Sequence, residues 1–106
     1  NEKNTRFNIK VGVAYGSDTA LVKKILLECL ANHPHVKKKP TPDVIFTDFG
    51  DSSLDFSLLF YSEHLFHIER IKSEIRFEID KQFRANKITI PFPQRDLWVR
   101  EIPKSE

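Results

Sequence analysis

Cysteine occurs once in the 106 residues, at Cys29, so no disulfide can close within the chain. A lone thiol fits a reducing compartment rather than a disulfide-stapled scaffold. Glycine occurs three times, at Gly12, Gly16 and Gly50, too sparsely for a phosphate-cradling loop. No apolar run approaches the roughly 20 residues that a membrane span requires. The longest are a few residues, such as Leu58-Leu59-Phe60-Tyr61, so the chain by itself is expected to be soluble. A surplus of one charge sign is missing as well: the formal net charge is +2. The only basic run, Lys37-Lys38-Lys39, lies between His33-Pro34 and Pro40-Thr41-Pro42 and reads as a solvated loop. Phosphate recognition needs several clustered cations, so no nucleic-acid partner is expected. The first residue is Asn1 rather than Met, which leads us to expect a piece excised from a longer protein.

What is present is ordinary globular material, 40% hydrophobic and 30% charged, with nine Phe to fill a core. The length is that of one domain. In residues 6–15, Phe7, Ile9, Val11 and Val13 alternate with Asn8, Lys10, Gly12 and Ala14, the period of a strand with one buried face. Gly16 turns the chain, and Ser17 or Asp18 can cap a helix by accepting its free N–H groups. That helix should run to about Asn32, with Val22, Ile25, Leu26, Cys29 and Leu30 as its inner stripe. Cys29 lies on the apolar side and reads as a small core residue, not a nucleophile.

Residues 44–49 and 54–61 form a hairpin around Gly50-Asp51-Ser52-Ser53, with Leu54, Phe56, Leu58 and Phe60 on one face. Ile68, Ile71, Ile75, Ile79 and Phe83 mark the inner face of a second helix over residues 66–86, with Asn86 as its left-handed cap. Residues 88–93 are extended, and residues 94–102 give a last strand with Leu97 and Val99 inward. The order β-α-β-β-α-β predicts an α+β, ferredoxin-like sandwich: a four-stranded antiparallel sheet with both helices on one face. The core is expected to include Val11, Val13, Val22, Ile25, Leu26, Cys29, Phe56, Leu58, Ile75, Ile79 and Phe83.

Reactive chemistry is hard to find. His33 and His35 sit in a loop, and His64 and His67 are three apart at a helix start; these read as surface or capping residues, without the converging ligands of a zinc site. Asp48, Asp51 and Asp55 surround a tight turn and serve its backbone rather than acid–base catalysis. Ser17 and Ser52-Ser53 have no activating histidine in a nucleophile-elbow pattern. Neither an enzyme activity nor a cofactor or metal is expected.

Apolar residues outside the core are the remaining signal. On a helical wheel Phe77 falls opposite the Ile stripe, beside Phe66, Arg70 and Arg84. Ala20, Leu27 and Ala31 make a second strip on the first helix. The open sheet face adds Ile45 or Val44, Leu59, Tyr61 and Trp98. Together these mark contact surfaces for neighbouring subunits or for other parts of a parent chain, with Phe66, Phe77, Leu27, Tyr61 and Trp98 as the candidate interface residues.

The segments Val11-Gly-Val-Ala-Tyr-Gly-Ser-Asp18 and Leu21-Val22-Lys23-Lys24-Ile25-Leu26 resemble the entry to the C-terminal domain of the small-conductance mechanosensitive channel family. So do His33-Pro34, Pro40-Thr-Pro42, Phe46-Thr-Asp-Phe-Gly-Asp-Ser-Ser-Leu54, Phe83-Arg-Ala-Asn-Lys-Ile88 and Ile90-Pro-Phe-Pro-Gln94. The resemblance covers residues 7–100. It implies a subunit of a membrane-embedded homo-oligomer, a heptamer, whose soluble domains form a cage on the cytoplasmic side of the bacterial inner membrane. Inorganic ions and small solutes pass through that cage beneath a tension-gated pore. Residues 1–8 would then end a preceding β domain, residues 9–100 form the cage domain, and residues 101–106 are a tail. Lys87 departs from the family pattern, standing where a Gly is common. The pore-forming helices are not in this stretch, so it cannot gate or conduct alone. A stand-alone ferredoxin-like module that binds a small ligand or a partner protein is the alternative.

Overall fold

The computed structural model describes residues 5–92. The chain runs β1 (Arg6–Val13), α1 (Thr19–Ala31), β2 (Asp43–Phe49), β3 (Leu54–Tyr61), a 3-10 turn (Leu65–His67) and α2 (Ile68–Ala85). The three strands form one sheet in the order β1-β3-β2, with β3 antiparallel to both neighbours. β1 and β2 therefore run parallel, and α1 is the crossover between them. The described sheet has three strands where four were expected; the fourth, over residues 94–102, lies outside the described residues, as do Trp98 and the tail.

The sheet register explains which face is buried. Phe7, Ile9, Val11 and Val13 stand opposite Phe60, Leu58, Phe56 and Leu54, so both rows point to the helices. Ile9, Val13 and the four β3 residues are buried, and Phe7 packs on Phe60 with ring centroids 5.9 Å apart. Val11, expected in the core, is only half-buried and packs against its margin. β1 has a neighbour on one side alone among the described strands, which leaves that margin open. From α1, Val22, Ile25, Leu26, Cys29 and Leu30 are buried, and from α2, Ile71, Ile75, Ile79 and Phe83. These side chains form one cluster, in which each fully buried Leu, Ile or Phe contributes about 1.5–3 kcal/mol of transfer free energy. Val36, from the loop read as solvated, also belongs to it, and Lys37 N–H donates to the Tyr61 carbonyl at 2.8 Å to hold that loop down.

The helix ends are set locally. Asp18 accepts from Ala20 N at 3.1 Å and Leu21 N at 3.2 Å, satisfying two of the free donors of α1. Gly16 makes the preceding turn at φ 94°. At the other end of α2 the expected left-handed residue is shifted by one. Asn86 has φ −107° and Lys87 takes φ 58°. Lys87 N donates to Arg84 O and Ile88 N to Phe83 O, the paired bonds of a Schellman motif, and only the residue after the cap can lie in the left-handed region there. α2 itself begins at Ile68, two residues later than its periodicity predicts, because the first turn is wound as 3-10.

β2 holds an irregularity. The register shifts between Phe46 and Asp48, so Thr47 is the extra residue of a bulge. Beyond it, Asp48 pairs with Asp55 on the open face and Phe49 with Leu54 on the helix-side face. Gly50, in the following turn, does not have a positive φ. A Cβ there would come within 2.6 Å of an Asp55 carboxylate oxygen, so its role is to leave room.

Candidate interaction surfaces

The 3-10 turn and the outer face of α2 each expose a large aromatic side chain. Phe66 is 100% and Phe77 74% accessible. Around Phe77, Asp80 is engaged by Arg84 at 2.9 Å, and Glu74 by His33 at 2.7 Å. Phe77 lies outside the buried core cluster. Leu27 differs from expectation: it is half-buried and packs against the core, because it sits on the flank of the α1 stripe and its long side chain lies back over it. Only Ala20 and Ala31 of that strip are exposed. Tyr61 is half-buried on the open sheet face, beside Arg6 of β1.

A further apolar ledge escaped the sequence reading. Phe46 stacks on buried Phe56 with centroids 4.9 Å apart, and Phe49 meets Phe46 at 5.0 Å. Phe46 is 39% and Phe49 70% exposed, so the core continues along β2 without a cover among the described residues. Strict alternation from Val44 would have put Phe49 on the other face; the bulge at Thr47 returns it to this one.

The four histidines, separate in sequence, come together. His33 and His35 rings lie 5.8 Å apart and His35 and His64 4.0 Å apart, while His67 shares a surface depression with His35 and His64. His33 is locked: its Nε2 faces Glu74 and its Nδ1 accepts the His35 N–H at 3.0 Å. Among the described residues no group of three His, Cys, Asp or Glu is placed to hold a metal ion. Asp55 accepts from Ser53 Oγ at 2.6 Å, and its carbonyl accepts from Thr47 Oγ1. Burial, aided by nearby Glu78 and Glu28, pushes the Cys29 thiol up to about 11, which suppresses the reactive thiolate. No described helix is long and apolar enough to cross a membrane.

Comparison with known proteins places this geometry in a family. The profile of the family described as "Mechanosensitive ion channel MscS, C-terminal" matches residues 7–90. Mechanosensitive channel MscK of Escherichia coli (strain K12) is 42% identical over 96 residues, which cover 91% of this chain and 9% of that protein. The small-conductance mechanosensitive channel of Helicobacter pylori (strain UM084) is 31% identical over 109 residues, covering all of this chain and 40% of that protein. In the crystal structure of Helicobacter pylori MscS in its closed state, the matching region superposes with a TM-score of 0.78 at 31% identity, covering 92% of this chain and 39% of that one. The chain thus spans less than half the length of these relatives. Its α+β fold of two helices and an antiparallel sheet is theirs, and the family is one of ion channels, not enzymes. The chain belongs to the MscS family of mechanosensitive channels, as its C-terminal domain.

Proposed function

We propose that this domain serves assembly and solute passage below a tension-gated pore, as the cytoplasmic cage domain of a channel subunit. The observation that carries the reading is the family match over residues 7–90, which takes in the described strands and helices save Arg6 at the start of β1. The exposed Phe66 of the 3-10 turn and Phe77 of α2 support it: large apolar side chains left facing solvent are surfaces for a neighbour. A domain of this kind needs a rigid core and lateral contacts rather than a catalytic group, and it biases permeating ions through the charge of its walls. The homo-oligomer we propose is a closed ring, a heptamer.

Thr89 O accepts from Ala14 N at 2.8 Å, which brings the chain after α2 to the outer edge of β1. A strand over residues 94–102 running along that edge completes a four-stranded ferredoxin-like sheet in the order expected for β-α-β-β-α-β.

The experiment is light scattering of the full-length channel protein in detergent, with and without Phe77→Glu. The reading expects a single closed oligomer for the parent and smaller species for the variant, with monomer stability unchanged. An oligomer indifferent to Phe77→Glu removes α2 from the interface; a monomeric parent removes the assembly role.

A further inference from the structure

The open face of the sheet, away from the helices, holds a depression of about 520 Å³. Its lining includes Lys10 and Gly12 of β1, Thr47 and Asp48 of β2, and Asp55 and Ser57 of β3. The register arranges them in two rows. Lys10 stands beside Ser57, and Gly12, Asp55 and Asp48 lie side by side across all three strands. Gly12 has no side chain, and Ser53 fills the space beside it: a Cβ at Gly12 would come within 2.9 Å of Ser53 Oγ, which donates to Asp55 Oδ1 at 2.6 Å and leaves Oδ2 of that carboxylate for a ligand. Asp48 would point to the other face without the bulge at Thr47, which restores it to this one.

Two features of this depression are unaccounted for by the fold. Ser57 is only 8% exposed, yet its hydroxyl has no hydrogen-bond partner among the described residues. Buried hydroxyls are nearly always paired, and one that is not marks a place for a ligand or water. Asp48 and Lys10, for their part, have no ion-pair partner among the described residues. Two neighbouring carboxylates on one side and an ammonium on the other thus face a shared space with a spare hydroxyl between them. Adjacent strands are about 4.8 Å apart, so the Lys10 and Asp48 columns are separated by roughly 10 Å. Side chains reaching inward reduce that gap to the scale of one small molecule.

We infer that this depression binds a small zwitterion of the amino-acid class. The ligand's ammonium group lies between Asp48 and Asp55, its carboxylate meets Lys10 Nζ, and the Ser57 hydroxyl completes the contact. A simple cation satisfies only the carboxylates and leaves Lys10 repelling it; a simple anion does the reverse. Specificity comes from carrying both charges on one short chain.

The test is an NMR titration of the 15N-labelled 106-residue chain with β-alanine, against ethylamine and propionate, which carry one charge each. Saturable shifts centred on the amides of Gly12, Asp48 and Ser57 are expected with β-alanine, with a dissociation constant in the millimolar range. Lys10→Gln and Asp48→Asn should each weaken binding about five-fold, as loss of an exposed charge partner does. Ser57→Ala should weaken it by a smaller factor without disturbing the rest of the spectrum. Shifts that rise linearly without saturation, equal shifts from ethylamine alone, or affinities unchanged by Lys10→Gln and Asp48→Asn would overturn the inference.

Discussion

Ile88 N–H donates to the Phe83 carbonyl at 2.8 Å, closing α2 across Lys87, which is held at φ 58° between them. Phe83 is buried, and Ile88 packs at the margin of the same core. The turn is fixed by this apolar contact and its hydrogen bonds rather than by the preference of lysine, whose Cβ crowds the carbonyl in the left-handed region. Lys87→Gly removes that crowding and should stabilise the chain by up to about 1 kcal/mol, less the added freedom of the unfolded glycine. Lys87→Val should destabilise it. Urea denaturation of the two variants gives the sign.

Core and surface phenylalanines should separate cleanly. Phe83→Ala and Ile75→Ala leave cavities in a closed cluster and should each cost about 2–5 kcal/mol. Phe77→Ala, on the outer face of the same helix, should change monomer stability by less than about 0.5 kcal/mol. Chemical denaturation of the 106-residue chain makes the comparison; a core-like loss at Phe77 would place it inside.

The cap of α1 offers a smaller effect. Asp18→Ala frees the Ala20 and Leu21 amides and should cost about 1 kcal/mol. Asp18→Asn or Asp18→Ser should recover most of it, since either side chain offers an oxygen to the same donors. Thermal melts of the three variants order them.

Cys29 sets an alkaline limit. Its thiol rises from an ordinary 9.0 to about 11 on folding, so the folded state favours the protonated form. That contribution is fully present below pH 9 and is lost as pH rises through about 11, where both states release the proton. Wild type minus Cys29→Ala, compared by denaturant melts at neutral and alkaline pH, should show stability falling across this window. A thiol reagent at neutral pH should react with the native protein far more slowly than with the unfolded chain.

Local rules made much of the fold legible. The alternation of Leu54, Phe56, Leu58 and Phe60 and the spacing of Val22, Ile25, Leu26, Cys29 and Leu30 each follow from one element meeting one core, and these residues are buried. Asp18 was one of two capping candidates because a cap needs only its own neighbours. What stayed hidden depends on contacts between distant segments. The bulge at Thr47 inverts the parity of the strand after it, so Phe49 and Asp48 trade faces, and nothing local to Thr47 announces this. The meeting of His33, His35 and His64 joins the α1–β2 loop to the turn after β3, some thirty positions apart in the chain. Leu27 turned inward because a long side chain on a helix flank reaches a core that an alanine there would not.

The proposed role turns on whether the outer face of α2 meets another subunit. A Phe77→Cys substitution read with a water-soluble maleimide tests this directly, since Cys29 is buried and slow to react. The account predicts fast labelling in the 106-residue monomer and strong protection in the assembled full-length channel. Equal labelling rates in both would contradict it.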